Sequence, residues 1–158
     1  MVEPLVEQII HKIDQAAQLY YRLILVVAPG GMGKTVALRE VAKHTEFGYT
    51  NINLALSQRL LSLTERQRSL QVFRLLNEIV EENGTQVVLL DNIELLFDTS
   101  LKQDPLRLLQ GISRNRTVVA SWNGSIENEH LIYAQPDRPE YRRYPTTGLS
   151  VIGIEQRR

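Results

Sequence analysis

The sequence predicts an α/β fold: a three-layer sandwich built on a mostly parallel five-stranded sheet. Two observations predict it. Short, wholly apolar runs, Leu23-Ile24-Leu25-Val26-Val27 and Val87-Val88-Leu89-Leu90, suit strands covered on both faces. Between such runs lie longer segments whose apolar residues recur at helical spacing, and strands alternating with helices pair in parallel with helices on both sides. A chain of 158 residues fits one domain, 1–158, and no repeat or low-complexity linker divides it.

The elements follow in order. Residues 3–21 read as a helix, with Leu5, Ile9, Ile13, Ala16 and Tyr20 on one stripe and Pro4 in the first turn. The first strand is 23–28, and a helix covers about 34–45. Residues 49–54 alternate apolar and polar as a short, partly exposed strand. A helical stretch over about 56–82 breaks near Leu63-Thr64. Thr64 is the candidate cap there, although no acid stands three residues on. Leu70, Phe73, Leu76 and Val80 mark the expected buried stripe of the second part, which Asn83-Gly84 ends. The strand 86–91 is followed by a loop anchored by Leu95, Leu96 and Phe97, then a helix at about 103–112. Residues 117–121 are the fourth strand and 149–154 the fifth. The intervening stretch, 123–148, is rich in Pro, Gly, Asn and charge and holds one apolar run, Leu131-Ile132-Tyr133.

Composition excludes several classes. With no cysteine there is neither a disulfide framework nor a thiolate metal site, and the three histidines lack ligand spacing. No apolar run approaches the ~20 residues that cross a bilayer, and Met1 is not followed by a signal segment, so a soluble cytoplasmic protein without membrane contact is expected. Eighteen basic and eighteen acidic residues cancel, which makes no global case for nucleic-acid binding and removes a barrier to self-association. Fourteen of the basic residues are arginine, several of them late in the chain: Arg114, Arg116, Arg138, Arg142, Arg143, Arg157 and Arg158. Arginine suits bidentate contact with phosphate or carboxylate.

The most specific motif is Ala28-Pro29-Gly30-Gly31-Met32-Gly33-Lys34-Thr35, between an apolar strand and a helix. A nucleoside triphosphate needs this order around its phosphates: glycines turn backbone N–H groups inward, and the helix N-terminus adds unpaired N–H groups. Lys34 would reach the β- and γ-phosphates, and the Thr35 hydroxyl would take a place on Mg²⁺. Pro29, Gly30, Gly31, Met32, Gly33, Lys34, Thr35 and Val36 are the expected ATP contacts. Ala28 stands where the motif has its first glycine, a substitution that negative φ would accommodate.

A phosphate loop needs an acid on a neighbouring strand, and Val87-Val88-Leu89-Leu90 ends in Asp91, the second expected metal residue. Asn92 follows where many such ATPases have glutamate, and an amide cannot accept a proton from water at neutral pH. Glu94 is the candidate base if the strand end turns toward the site, with Asp98 and Asp104 as more distant alternatives. Asn123, after the strand 117–121, is read either as a γ-phosphate sensor or as the first residue of an Asn-Gly turn. Trp122 is read equally as packing. Arg114 and Arg116 could offer a guanidinium to a neighbouring subunit's γ-phosphate or stand solvated at a helix–strand junction. Arg142 and Arg143, flanked by Tyr141 and Tyr144, could contact DNA or pack within the protein.

Asp91, Asn123 and the Gly-Met-Gly-Lys-Thr loop together resemble the ASCE branch of P-loop ATPases, which includes AAA+ and STAND proteins, over roughly residues 22–154. Typical members carry a helical lid after the last strand; the expectation here is an architecture without one, and helix 3–21 is the candidate cover for the base. At finer grain the chain is similar to the BrxF family, small P-loop proteins of BREX-type bacterial anti-phage systems. The strings that carry this are Asn53-Leu54-Ala55-Leu56-Ser57, Leu89-Leu90-Asp91-Asn92-Ile93-Glu94-Leu95-Leu96-Phe97, Ser100-Leu101-Lys102-Gln103-Asp104-Pro105-Leu106 and Ser113-Arg114-Asn115-Arg116-Thr117-Val118-Val119-Ala120. The resemblance implies a bacterial component acting with a large ATPase, a DNA methyltransferase and an alkaline-phosphatase-like protein. The expected function is a Mg-ATP-binding switch or weak ATPase in such an assembly, self-associated or bound to a partner ATPase. Its alternatives are a non-hydrolysing adaptor and a DNA-contacting subunit.

Overall fold

The computed structural model describes residues 2–154. Arg157 and Arg158 lie outside the described residues. The elements run α1 (Val2–Ala16), β1 (Leu23–Ala28), α2 (Lys34–His44), β2 (Gly48–Asn51), α3 (Ile52–Leu60), α4 (Glu65–Glu82) and β3 (Val87–Asp91). Two short 3-10 turns, Glu94–Phe97 and Thr99–Leu101, lead to α5 (Pro105–Ile112). Then come β4 (Thr117–Glu127), β5 (His130–Tyr133), β6 (Arg142–Pro145) and β7 (Ser150–Gly153).

Five strands pair in parallel in the order β2-β3-β4-β1-β7. The fourth strand of the core thus lies between the phosphate-loop strand and the acid strand. Alternate side chains divide the core into two layers. Ile24, Val26, Val87, Leu89 and Val119 face α1 and α2, while Leu25, Val27, Val88, Leu90, Val118 and Ala120 face α3, α4 and α5. Full burial of such side chains is worth about 1.5–3 kcal/mol each, which is why these strands read as unbroken apolar runs.

Several local expectations need correction. α1 stops at Ala16, where the Leu19 N–H turns back to its carbonyl, and Tyr20 is 64% exposed instead of completing the stripe. The second strand ends at Asn51, three residues before its expected finish, because the Asn51 side chain accepts from Leu54 N–H and caps α3. Thr64 caps α4 with a complete capping box, because Gln67 at the third following position supplies the reciprocal bond that an acid would have made. The buried stripe of α4 is Val72, Leu75, Leu76, Ile79 and Val80; Leu70 is 73% exposed. Phe73, also expected inside, is partly exposed and lies over Gly111 of α5, where a Cβ would come within 2.6 Å of its ring.

The largest departure is at 123–148. β4 runs on through Asn123 and Gly124 to Glu127, bends back at Asn128 and Glu129, both with positive φ, and pairs antiparallel with β5, which pairs with β6. Asn123-Gly124 is therefore strand and not turn. Gly124 is needed for a different reason: a Cβ there would sit 1.9 Å from the Ile132 carbonyl oxygen. Trp122 is fully buried, donates to that same carbonyl at 3.1 Å, and meets Phe97 and Tyr133 edge-on, the latter two stacked on each other. Trp122 is a core residue that fastens this β-arm to the sheet.

Candidate nucleotide site

β1 ends at Ala28, which pairs with Asn123 of β4. Ala28 is extended, with no positive φ, so its methyl is accepted in the strand. Gly31 and Gly33 have φ of 81° and 90°, the left-handed region that only glycine adopts without strain, and Gly33 starts α2. A Cβ built on Gly30 meets nothing within 4 Å, so the space beside it is open. Lys34 is buried, and its ammonium donates to the carbonyls of Ala28 at 2.7 Å and Pro29 at 2.9 Å. Burial pulls its pKa below the ordinary lysine value, against the pull of the Asp91 and Glu94 carboxylates.

Asp91 closes β3 almost fully buried. Its Oδ1 accepts from the Ser121 hydroxyl at 2.7 Å and the Asn92 N–H at 3.1 Å, and its Oδ2 accepts from the Tyr49 hydroxyl at 2.7 Å. Burial pushes the carboxyl up, but hydrogen bonds from Ser121, Thr35, Tyr49 and Asn92 outweigh it and hold the pKa below the usual carboxylate value. Thr35 and Asp91 together offer hard oxygen donors and no more, and among the described residues no group of three His, Cys, Asp or Glu could enclose an ion. That donor set fits Mg²⁺, which keeps waters and takes substrate phosphates as ligands instead of an all-protein cage.

Asn92 has φ of 52°, and this left-handed turn swings the chain so that Glu94 comes back to the site. Glu94 Oε1 accepts from the Asn53 amide at 3.2 Å and Oε2 from the Asn123 amide at 3.0 Å. Asn53 is itself fixed: its N–H donates to the Asn92 carbonyl at 2.8 Å, and its side-chain oxygen accepts from Leu95 N–H at 2.8 Å. Burial raises the Glu94 pKa above the ordinary value and the Asp91 charge adds to this; its own N–H, Asn53 and Lys34 oppose. A cavity of about 680 Å³ opens on Glu94, bordered by Asn53, Phe97, Asp98, Tyr133 and Glu140. Burial there, with Glu94 and Glu140 nearby, pushes the Tyr133 phenol up to about 12.

A family model described as "ATPase family associated with various cellular activities (AAA)" matches residues 24–120, from the phosphate-loop strand through most of β4's buried half. The chain belongs to the AAA family. It is thus an ATPase-type, nucleotide-binding chain. Among solved structures it is similar to that titled "Structure of C. elegans PCH-2", with a TM-score of 0.51, 16% identity, and coverage of 98% of this chain and 43% of that one. A structure titled "Structural Basis for Katanin Self-Assembly" matches with a TM-score of 0.44 and 22% identity over 73% of this chain and 42% of that one. The chain spans less than half the length of either, and at such identity the first likeness speaks to fold alone. No curated protein matches the chain.

Within this AAA chain the remaining candidates fall in three places. Arg114 and Arg116 precede β4, whose first residue Thr117 pairs with Val87, so they stand at the end of the sheet opposite the phosphate loop. Arg114 lies over the Tyr20 ring, 4.7 Å from its centroid, and its carbonyl accepts from Arg22 at 3.1 Å. They do not join this chain's own site. Asp98 and Asp104 are structural caps: Asp98 accepts from the Ser100 N–H and hydroxyl, and Asp104 accepts from Leu106, Arg107 and the Tyr144 hydroxyl. On β6, Arg142 is half-buried and donates to the Gln103 carbonyl at 2.9 Å, while Arg143 is exposed. A second cavity of about 620 Å³ runs from Pro29, Gly30 and Asn123 to Tyr141 and Arg143 of the arm.

The residues that sequence pattern passes over are Tyr49, Asn53 and Ser121. Each looks like ordinary strand or helix polar content. Only the β2–β3–β4 register, Asn51 beside Asp91 and Leu90 beside Ala120, brings them to the acid strand.

Proposed function

We propose that this chain is a Mg-ATP-dependent switch with a weak, gated ATPase activity, acting as one nucleotide-binding unit of a multi-protein bacterial anti-phage assembly of the BREX type. The observation that carries the catalytic half is the placing of Glu94 between the Asn53 and Asn123 amides, beside Asp91 and within the field of Lys34. Lys34 would exchange the Ala28 and Pro29 carbonyls for the β- and γ-phosphates, and the open face at Gly30 would admit them. Thr35 and Asp91 would hold magnesium, which supplies charge neutralisation on the phosphates. Asn123 would release Glu94 to orient on the γ-phosphate, and the freed carboxylate would take the proton of the attacking water.

Both Glu94 oxygens are engaged by amides, and this favours one second reading: a nucleotide-stabilised adaptor for a larger ATPase that does not itself turn ATP over. The assembly setting, cytoplasmic location and partner proteins rest on the resemblance to BrxF. Arg114 and Arg116 would act only in trans, in a homo-oligomer or against a partner ATPase, since they stand away from their own loop. Any DNA contact by the arm would fall to Arg143, which is exposed with its guanidinium 3.3 Å from the His130 ring, because Arg142 is half-buried against Gln103.

Calorimetric nucleotide binding and phosphate release, measured for the wild type, Lys34→Ala and Glu94→Gln, test these readings. Loss of binding in the first variant, and retained binding with lost turnover in the second, is the expected pattern. Equal turnover in Glu94→Gln removes Glu94 as the base. Binding without turnover in the wild type, alone and with its partner proteins, leaves the adaptor.

A further inference from the structure

The Tyr49 hydroxyl is not used by any step above, yet it makes one of the shortest polar contacts in the site. Tyr49 and Asn51 lie on the same face of β2, and Asn51 pairs with Asp91 of β3, so the phenol reaches Asp91 along the diagonal of the two strands. It donates to Oδ2 at 2.7 Å while Ser121 and Asn92 occupy Oδ1. The Tyr49 ring is half-buried, the Arg39 guanidinium lies over it 5.5 Å from the ring centroid, and the phenol oxygen also accepts from Arg39. A carboxylate has about four acceptor positions. With donors from Tyr49 of β2, Ser121 of β4, Thr35 of α2 and the Asn92 N–H just after its own strand, Asp91 has little freedom to turn an oxygen into direct contact with an ion.

We infer that Tyr49 is a specificity-determining residue for the metal: by occupying Asp91 Oδ2 it confines Asp91 to contact through a coordinated water, which favours magnesium over calcium. Mg²⁺ gives up its waters reluctantly and accepts an acid that bonds to one of them. Ca²⁺ takes six to eight oxygens at longer distance and gains from a carboxylate free to ligate it, often through both oxygens. A capped Asp91 satisfies the first ion and denies the second. This rests on the proposed Mg-ATP site.

The test is equilibrium binding of a fluorescent, non-hydrolysable ATP analogue to the full chain, titrated separately with Mg²⁺ and Ca²⁺, for the wild type and Tyr49→Phe. Phenylalanine keeps the ring under Arg39 and removes the hydroxyl, and with it both the bond to Asp91 and the bond from Arg39. The expected result is a shift of the Mg²⁺:Ca²⁺ midpoint ratio toward Ca²⁺ by about fivefold or more, with metal-free analogue affinity unchanged. Ser121→Ala, which removes one of the two donors to the other oxygen and leaves the Asn92 N–H, should shift the ratio in the same direction. Equal weakening with both ions, or an unchanged ratio, overturns the assignment and leaves Tyr49 as packing. A wild type that binds the analogue with neither ion overturns the nucleotide site itself, a result distinct from a failure of Tyr49 alone.

Discussion

Asn123 on β4 donates to Glu94 Oε2 at 3.0 Å, joining the strand next to the phosphate loop to the turn beyond the acid strand. This bond makes the state of Glu94 depend on what Asn123 touches. It is also one of two amide contacts on a carboxylate that burial already drives toward the neutral form. A carboxylate held in this way is sensitive to its neighbours.

If Glu94 is the base, as proposed, it must be ionised to accept a proton. Its raised pKa therefore places the acid limb of the phosphate-release profile above the ordinary glutamate range, with rate rising as pH increases through it. The Asn53 amide favours the charged form. Asn53→Ala should displace the limb further upward, while a change in Asn53 that only disturbed folding would lower the rate at every pH. The pH–rate profile of both proteins checks this.

Lys34 has one charged donor group and, in this state, two backbone carbonyls to serve. Hydrogen bonds to charged groups are worth about 1.5–3 kcal/mol, so replacing Lys34 by methionine should weaken ATP about 10- to 100-fold or more. The same variant leaves the Ala28 and Pro29 carbonyls without this donor, and a fall in unfolding free energy of about 1–3 kcal/mol in the absence of nucleotide should accompany it. Calorimetry and denaturant unfolding measure the two effects separately.

The core sheet and the phosphate loop were legible because each carries its own local signature. β1 and β3 are continuous apolar runs buried on both faces, and the loop glycines answer a backbone requirement that no other residue meets. Asp91 could be nominated as the acid that ends the second apolar run, and Glu94 as the next acid beyond Asn92. The β-arm was not legible, because Asn123-Gly124 has the composition of a turn, and only the approach of the Ile132 carbonyl reveals why glycine stands inside a strand. Leu70 and Phe73 match helical spacing as well as the buried Leu76 and Val80 do, so periodicity alone found the second half of the α4 stripe and missed the first. Tyr49, Asn53 and Ser121 gain their roles from strand register, a long-range property that local pattern does not contain.

Gly124 offers a direct test of the arm. Alanine there would drive its methyl into a backbone oxygen, which cannot turn aside as a side chain could. Overpacking of this kind costs about 1–3 kcal/mol, and β5 would have to shift away from β4. Because Asn123 precedes it, Gly124→Ala should reduce both stability and the retention of Glu94, seen as lower unfolding free energy together with an altered pH–rate profile. Gly30→Ala makes the contrasting case, since its Cβ meets nothing: stability should be nearly unchanged, and any effect should appear in nucleotide affinity.

The last consequence concerns acid stability. The folded pKa of Asp91 is depressed, whereas an aspartate in the unfolded chain titrates near 3.8. The contribution of such a group is present in full above the unfolded value and is lost as pH falls through the folded one, because below it both states bind the proton. Asp91 therefore stabilises the neutral-pH protein and contributes to its unfolding in acid. Ser121→Ala removes one of the bonds that hold the charged form and so raises the folded pKa. The stability difference between wild type and Ser121→Ala should be largest at neutral pH and shrink once the pH drops below the unfolded value. Denaturant unfolding between about pH 7 and pH 2 would show it, and a difference that stayed constant across that range would mean that Ser121 acts through packing and not through the Asp91 charge.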